Sequence, residues 1–518
     1  MIAGLLTALI AAAIGYLVAG IVAPASGPVA AVAEASIGLT PPPVKNFAVS
    51  AFGTHDKLVL LAGIGAVLAI FAAIIGALAV RRLWYGMAGL ACFAAIGLAA
   101  ALTRPTATPA YLLPTLAAAA AGALALARLA RSAPHAVEAP APRPPAAGSA
   151  APERYRPPPP RAPERRTFLV AGGVTAGAAA VAYLGGRVLT ENTSVARAQA
   201  SLRIPRPAHP APPLPAGSDL KIPGLSSFIT PNRSFYRVDT AIVLPEIPPE
   251  SWHLRVHGMV AREITISFAE LIRRPLSADY ITLTCVSNPV AGSLVGNALW
   301  VGASLASLLR QAGVRAGADQ LLCTSSDGFT SGTPLRVVMD GRDAILAVAM
   351  NGTALPVEHG FPVRMVVPGL YGYVSACKWI TDIEVTTFAG NAAYWVQRGW
   401  DQQAPVKTEC RIDVPAGNGP VKPGTRSVAG VAWAQHKGIA AVEVRVDNGP
   451  WHVARLAAVP GIDCWRQFVW DWDATPGRHL IEARATDATG YTQTALQEPP
   501  EPNGASGYPA VPVSVTSG

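Results

Sequence analysis

Charge is scarce in this chain, and its absence is localised. Of 518 residues only 14% are Asp, Glu, Lys or Arg, against 51% hydrophobic. That balance is too apolar for a soluble globular protein of ordinary composition. The deficit lies before residue 190, in five long runs that contain no Asp, Glu, Lys or His. Without paired histidines these runs do not read as haem carriers, and without acids or lysine they lack the usual proton and ion pathway residues. Cysteine is sparse too: there are six, with no CxxC or CxxCH spacing, which gives no sign of iron–sulfur or c-type haem sites. Cys92 falls in an apolar run, leaving Cys285, Cys323, Cys377, Cys410 and Cys464. That number is odd, so in an oxidising compartment at least one thiol is unpaired within a monomer.

The runs themselves are Ile2 to Val22, Leu58 to Val80, Leu83 to Leu102, Leu112 to Leu129 and Phe168 to about Leu189. Each is long enough to cross roughly 30 Å of hydrocarbon at about 1.5 Å per residue. The net charge is +9, but no basic stripe interleaved with aromatics accompanies it, so a nucleic-acid partner is not expected. Between Arg128 and Arg166 stand eight arginines and three glutamates, so 8 − 3 = +5 of the charge sits in one linker. With Arg81 and Arg82, this linker marks the cytoplasmic side. The expected topology is a multi-pass cell-membrane protein with its amino terminus inside and its carboxy-terminal part on the extracytoplasmic side. The membrane portion reads as an anchor or partner-docking bundle, and no redox partner or quinone pathway can be identified in it.

The expected organisation is a membrane domain with four spans over 1–130, a cytoplasmic Pro/Arg-rich linker over 131–167 and a fifth span over 168–189. A second Pro-rich linker at 190–218 then leads to a catalytic domain over 219–400 and a last domain over 401–518. The linker APRPPAAGSAAPERYRPPPPRAPERR is proline-rich and charged, an extended spacer. ERRTFLVAGG, from Glu164, resembles a twin-arginine export signal. Arg165 and Arg166 read equally well as the flank of an ordinary helix; the weakly hydrophobic Gly172 to Ala182 favours export of a folded domain.

Past residue 219 the chain is mixed α and β. WHLRVHG is strand-like and ends at Gly258, and Gln320 to Cys323 and Ala344 to Met350 read as strands. LVGNALWVGASLASLLRQAG carries a helical period with a stop at Gly313, and Ala303 to Gln311 reads as a short helix. Cys285 ends a strand-like run, YITLTC, and opens onto a glycine-containing loop. Taken alone, it is an inert core thiol more often than a metal ligand.

Several separated motifs alter that balance. TPNRSFYRVDT from Thr230, LTCVSN from Leu283, GNALWVGASLASLL from Gly296, NGTALPVEHGFPVRMVVPGLYG from Asn351 and KWITDIEV from Lys378 occur in order. Together they resemble the sulfite oxidase family of molybdopterin-dependent oxidoreductases from about residue 225 to 497. The resemblance implies the molybdenum cofactor, molybdopterin, with Cys285 as molybdenum ligand. It implies Asn232, Phe235, Tyr236, Ser287, Asn288, His359, Arg364, Gly369, Gly372, Ser375 and Lys378 around the cofactor, and Tyr236 and Arg237 beside the substrate. Arg364 read alone is a surface strand residue, Lys378 a strand flank and Arg237 a surface arginine. Charge chemistry suits the assignment, because a phosphate tail needs fixed cations and backbone donors.

The chain also departs from the family. GYVSACKW lacks an arginine shortly before the Lys-Trp pair, and SNPVAG follows the cysteine where a basic segment is expected. Fewer cations argue against sulfite and for a neutral or bulkier small-molecule substrate, such as an S-oxide or N-oxide being reduced.

SVAGVAWA, AAVEVRVDNG, WRQFVWDWDA and RHLIEARATDATG alternate between turn signals, as in an antiparallel sandwich. Asn448-Gly449 is expected to close a hairpin, and Trp470 and Trp472 share a face read as core or interface. The expected fold is thus an α-helical membrane anchor, an α+β sulfite-oxidase-like molybdopterin domain and a β-sandwich, immunoglobulin-like domain. The resemblance implies a homodimer through the last. A non-catalytic surface binding protein on the same scaffold is the alternative.

Overall fold

The computed structural model describes residues 1–41, 44, 56–104, 107–133, 165–191, 194–417 and 419–516. They form two compact units, Met1–Thr193 with Ala241–Val243, and Ser194–Thr240 with Leu244–Gly518.

In the first unit, five helices are long and apolar enough to cross a membrane. They are α1 (Ile2–Val22), α3 (Asp56–Arg81), α4 (Leu83–Leu102), α5 (Leu113–Ser132) and α6 (Arg165–Glu191). They carry large exposed apolar side chains such as Leu124, Leu169, Val174 and Val181, a surface that suits lipid better than water. A short helix, α2 (Pro28–Leu39), was not anticipated. Its Pro28 starts the first turn, where proline lacks only a donor that would go unused. Glu34 on α2 pairs with Arg104 beyond α4. The arginine pair opens α6. Most of the expected cytoplasmic linker, 134–164, lies outside the described residues.

The second unit begins with α7 (Ser194–Ser201) and holds two mixed sheets, then a two-sheet β-rich region. One mixed sheet runs β2 (Ile264–Ser267), β1 (His253–Gly258), β10 (Ile380–Thr386), β5 (Gln320–Ser325) and β6 (Thr330–Pro334). The other runs β3 (Leu276–Thr284), β4 (Val295–Ser304), β7 (Ile345–Met350) and β8 (Thr353–Ala354), with β9 (Arg364–Val366) also paired to β7.

The helical period expected from Leu294 is overturned in its first half, since β4 is a strand. It is paired on both sides, to β3 and β7, and nearly all its residues are buried. A strand covered on both faces is a continuous apolar run, which periodicity alone does not separate from a helix. The helix is confined to Leu305–Ala312, capped by Ser304 Oγ, which accepts from Ser307 N at 3.2 Å. It ends where expected, at Gly313 with φ 71°.

The carboxy-terminal region has sheets β11 (Glu409–Val414), β13 (Gly424–Trp433), β17 (Arg466–Ala474), β16 (Arg455–Leu456) and β12 (Pro420–Val421), β19 (Ala510–Val515), β18 (Gly477–Asp487), β14 (Ile439–Val446), β15 (His452–Val453). Val428 and Phe468 from one sheet and Val442, Ile481 and Val513 from the other share a core, so the sheets form a sandwich. Trp472 is in that core and Trp470 packs at its margin. The β14–β15 hairpin turns one residue earlier than expected. Asp447 and Asn448 take φ 51° and 57°, and Gly449 N donates to Val446 O at 2.8 Å. Two left-handed residues suit the right-handed twist of the strands, and Asp and Asn tolerate that conformation.

Candidate functional site

The β3–β4 hairpin presents Cys285. Its strands pair through Thr284 and Val295, and Cys285 N donates to Leu294 O at 2.9 Å. Residues 286–293 therefore form a closed loop at the end of the sheet. Asn288 Oδ1 accepts from Leu294 N at 2.8 Å and locks that loop from within. The Cys285 thiol is raised above its ordinary pKa by burial, while the Ser287 backbone and hydroxyl hydrogen bonds oppose that shift. Without a metal the thiol therefore keeps its proton, and Ser287 supplies the donors that a thiolate needs.

Two segments complete a cavity of about 120 Å³ around this thiol. The first is Asn232 to Thr240. Asn232 anchors it: Asn351 Nδ2 donates to Asn232 Oδ1 at 2.7 Å, and the Asn232 carbonyl lies 2.9 Å from His359 Nε2. Phe235 then packs edge-on against Trp300 with ring centroids 5.7 Å apart. A Cβ at Gly296 would approach the Phe235 ring to 2.8 Å, so glycine is what admits the ring. Tyr236 reaches the cavity, and burial, reinforced by Cys285, holds its hydroxyl protonated.

The second segment, 357–379, brings three basic groups. Arg364 on β9 is buried, with NH1 donating to His359 O and NH2 to Ala376 O, both at 3.2 Å. Its Nε has no partner, and among the described residues no carboxylate pairs with it. Its guanidinium lies 5.0 Å over Trp300. Gly360, at φ 109°, lets Arg364 and Lys378 approach, since a Cβ there would meet Arg364 Cβ at 3.0 Å and Lys378 Cα at 3.2 Å.

Burial lowers all three basic groups: His359 to about 4, Arg364 to about 10 and Lys378 to about 8, the last opposed by Asp239. At neutral pH His359 is uncharged, so its Nε2–H donates to the Asn232 carbonyl. Depressed basic pKa values and a buried guanidinium Nε without a partner are what a cavity shaped for an anion displays before the anion arrives, because a nearby phosphate favours the charged forms. With a thiol and this cationic wall on one cavity, the residues fit a phosphate-bearing, thiolate-ligated molybdenum cofactor.

Of the residues expected at the site, Cys285, Phe235, Tyr236, Ser287, His359, Arg364, Gly372 and Lys378 line the cavity. Asn232, Arg237, Asn288, Gly369 and Ser375 are not among the lining residues. Asn232 and Asn288 hold the loops behind it. Arg237 Nε pairs with Asp239 Oδ2 at 2.9 Å, its side chain 43% exposed. Gly369 instead sits against the sandwich, where a Cβ would meet Arg342, His436 and the Gln435 carbonyl. Ser375 Oγ donates to the Leu370 and Tyr371 carbonyls, so it stabilises a turn. The structure adds Asp239, Thr240, Asp327, Phe329, Tyr373, Trp395 and Trp400 to the lining. Most come from loops without periodicity, and Tyr373 from the short helix Gly372–Ser375; Asp239 and Thr240 stand in TPNRSFYRVDT and Tyr373 in GYVSACKW without being read as site residues.

Residues 241–395 match the oxidoreductase molybdopterin binding domain. Sulfite oxidase of Gallus gallus is 31% identical over 293 residues, covering 47% of this chain and 62% of that protein. An uncharacterized oxidoreductase of Bacillus subtilis, YuiH, is 31% identical over 149 residues, covering 29% of this chain and 72% of the relative. The chain thus spans between about half and three fifths of the sulfite oxidases it matches. Among solved structures, the sulfane dehydrogenase SoxCD from Paracoccus pantotrophus aligns at TM-score 0.46 and 25% identity, covering 52% of this chain and 75% of that one.

Proposed function

We propose, for a chain that belongs to the sulfite-oxidase-like family of molybdopterin oxidoreductases, that it is a membrane-anchored, extracytoplasmic enzyme moving one oxo group to or from a small substrate. The observation that carries this reading is the meeting of Cys285 with Arg364, Lys378 and His359 on one cavity. Cys285 would hold the molybdenum through its sulfur, and Arg364 and His359 would hold the phosphate, with Lys378 kept beside them by its pair with Asp239. When bound, the cofactor supplies a two-electron centre able to exchange an oxo group.

The protein's own residues do the remaining work. Cys285 gives up its proton as it becomes a ligand, and the Ser287 donors stabilise the charge left on sulfur. Tyr236 Oη keeps its proton and is the hydroxyl donor available to a substrate oxygen. Phe329, Tyr373, Trp395 and Trp400 give the cavity an aromatic side that excludes water. The neutral direction of specificity, reduction of an S-oxide or N-oxide by two electrons and two protons to the parent compound and water, is supported by the aromatic wall and by carboxylates among the lining residues.

Five apolar helices support the membrane assignment, and the positive linker supports an extracytoplasmic second unit. A homodimer through the carboxy-terminal sandwich, of immunoglobulin type, is part of the same proposal. The domain limits belong to the same proposal, as do Asn232, Phe235, Ser287, Asn288 and Gly372 around the cofactor. The test is metal and pterin analysis of purified full-length protein, followed by reduction and oxidation assays with sulfite and a panel of S- and N-oxides. Protein from a cofactor-making host that contains no molybdenum would favour a non-catalytic binding protein instead.

A further inference from the structure

Asp239 is a buried acid in a cavity built for anions. Its side chain is 3% exposed, and its Oδ2 lies 2.9 Å from both Lys378 Nζ and Arg237 Nε. Among the described residues it is the only carboxylate in an ion pair with either cation. His359 is neutral near pH 7, so Arg364 is the lining cation left without a carboxylate. A phosphate tail carrying up to about two negative charges takes up Arg364 together with any charge it restores on His359. Nothing cationic is then left over for an anionic substrate, while Tyr373, Trp395 and Trp400 offer it ring faces, with centroids of neighbouring rings 6.1 Å apart.

We propose that Asp239 determines specificity: by pairing with Lys378 and Arg237 it turns an oxyanion site into one for an uncharged S-oxide or N-oxide with an apolar substituent. This inference rests on the oxo-transfer reading above. It assigns the discrimination to one carboxylate, which makes it reversible by a near-isosteric change. Asp239→Asn removes the negative charge and frees both cations while keeping the size of the side chain.

The experiment titrates sulfate, an unreactive oxyanion, and methyl phenyl sulfoxide into wild-type and Asp239→Asn holoprotein at about pH 6, where lysine keeps its proton. The variant is expected to bind sulfate at least about tenfold more tightly, while sulfoxide affinity changes by less than roughly threefold. Adding Arg237→Gln should return part of the gain. Equal sulfate affinity in the two proteins, at equal metal content, overturns the proposal. Should Asp239→Asn not fold, Arg237→Gln alone decides: a cation already neutralised by Asp239 can be removed with less than about twofold loss of sulfate affinity, and a tenfold loss overturns the proposal. The same titrations on cofactor-free protein read the charge effect without the metal. Molybdenum-free preparations would therefore sink the oxo-transfer reading, and equal sulfate affinities the role of Asp239.

Discussion

Cys285 illustrates how little a residue says by itself. At the end of a strand it is a buried thiol like Cys323 or Cys377; what distinguishes it is the Ser287 donors and the Arg364 guanidinium on the same cavity. Replacing Cys285 with Ser should abolish molybdenum content while leaving the melting temperature of the cofactor-free protein within a few degrees, about the effect of a small volume change in a buried site. A folded variant that retains stoichiometric metal would refute the assignment.

His359 gives a pH-dependent prediction. Its folded pKa of about 4 lies below the ordinary 6.5, so the unfolded chain binds the proton first. Stability from this group is therefore present above about pH 6.5 and is lost as pH falls toward 4, by on the order of 2–3 kcal/mol before discount for any local opening. Thermal unfolding of cofactor-free protein across that range, compared with His359→Gln, should show a weaker acid dependence in the variant. Identical slopes would remove His359 as the cause.

The motif residues on the cavity were legible because their chemistry is unusual in sequence: a cysteine before a loop, and basic residues inside apolar runs. Asp239 was not, since an aspartate in a loop carries no period and only its partners, 139 residues away in the case of Lys378, reveal its role. Gly369 and Ser375 are expected at the site from the resemblance, standing inside quoted motifs, yet neither lines the cavity. Neighbourhood in the chain does not fix the face to which a turn points.

At the level of elements, the sandwich holds the hairpin that carries Cys285. Gln435 Nε2 donates to Thr282 O at 3.0 Å and to Thr284 Oγ1 at 2.9 Å, and Trp465 N donates to Thr282 Oγ1 at 2.7 Å. On the other side of the cysteine, Arg411 NH1 donates to Gly292 O at 2.9 Å. Arg411→Ala should free the 286–293 loop at a cost of about 1–3 kcal/mol, the range for a charge-assisted hydrogen bond. Mass spectrometry should find Cys285 in the cofactor-free variant alkylated several-fold faster than in wild type, with buried Cys410 as internal control. An unchanged ratio would mean that the loop holds itself.

Elements also mark where sequence reading failed. In sequence β4 reads as part of a helix because its residues are apolar on both faces, whereas the sandwich strands are recognisable from alternation, having one face outward. Their hairpin was misplaced by one residue because Asp447, as well as Asn448, accepts a left-handed backbone.

For the whole molecule, long apolar runs were the clearest signal in the sequence, and all five recur as helices. The short α2 escaped because a helix of 12 residues lies below the length that a membrane span requires. If the amino-terminal unit anchors the enzyme, full-length protein should stay with membranes after carbonate washing, and protease added to intact cells should remove the second unit. Arg165→Lys with Arg166→Lys should protect that unit by keeping it inside. Proteolysis unchanged by the double substitution would discard the twin-arginine route without touching the anchor.

The grip of Arg411 and Gln435 on the Cys285 hairpin also has a consequence in time. Both residues follow Cys285 in the chain, so a ribosome that has just released the hairpin has not yet made the parts that hold it. The hairpin gains these braces only once the chain through Arg411 and Gln435 has been made and folded. A chain cut short before the sandwich is therefore expected to present Cys285 on a hairpin without these braces.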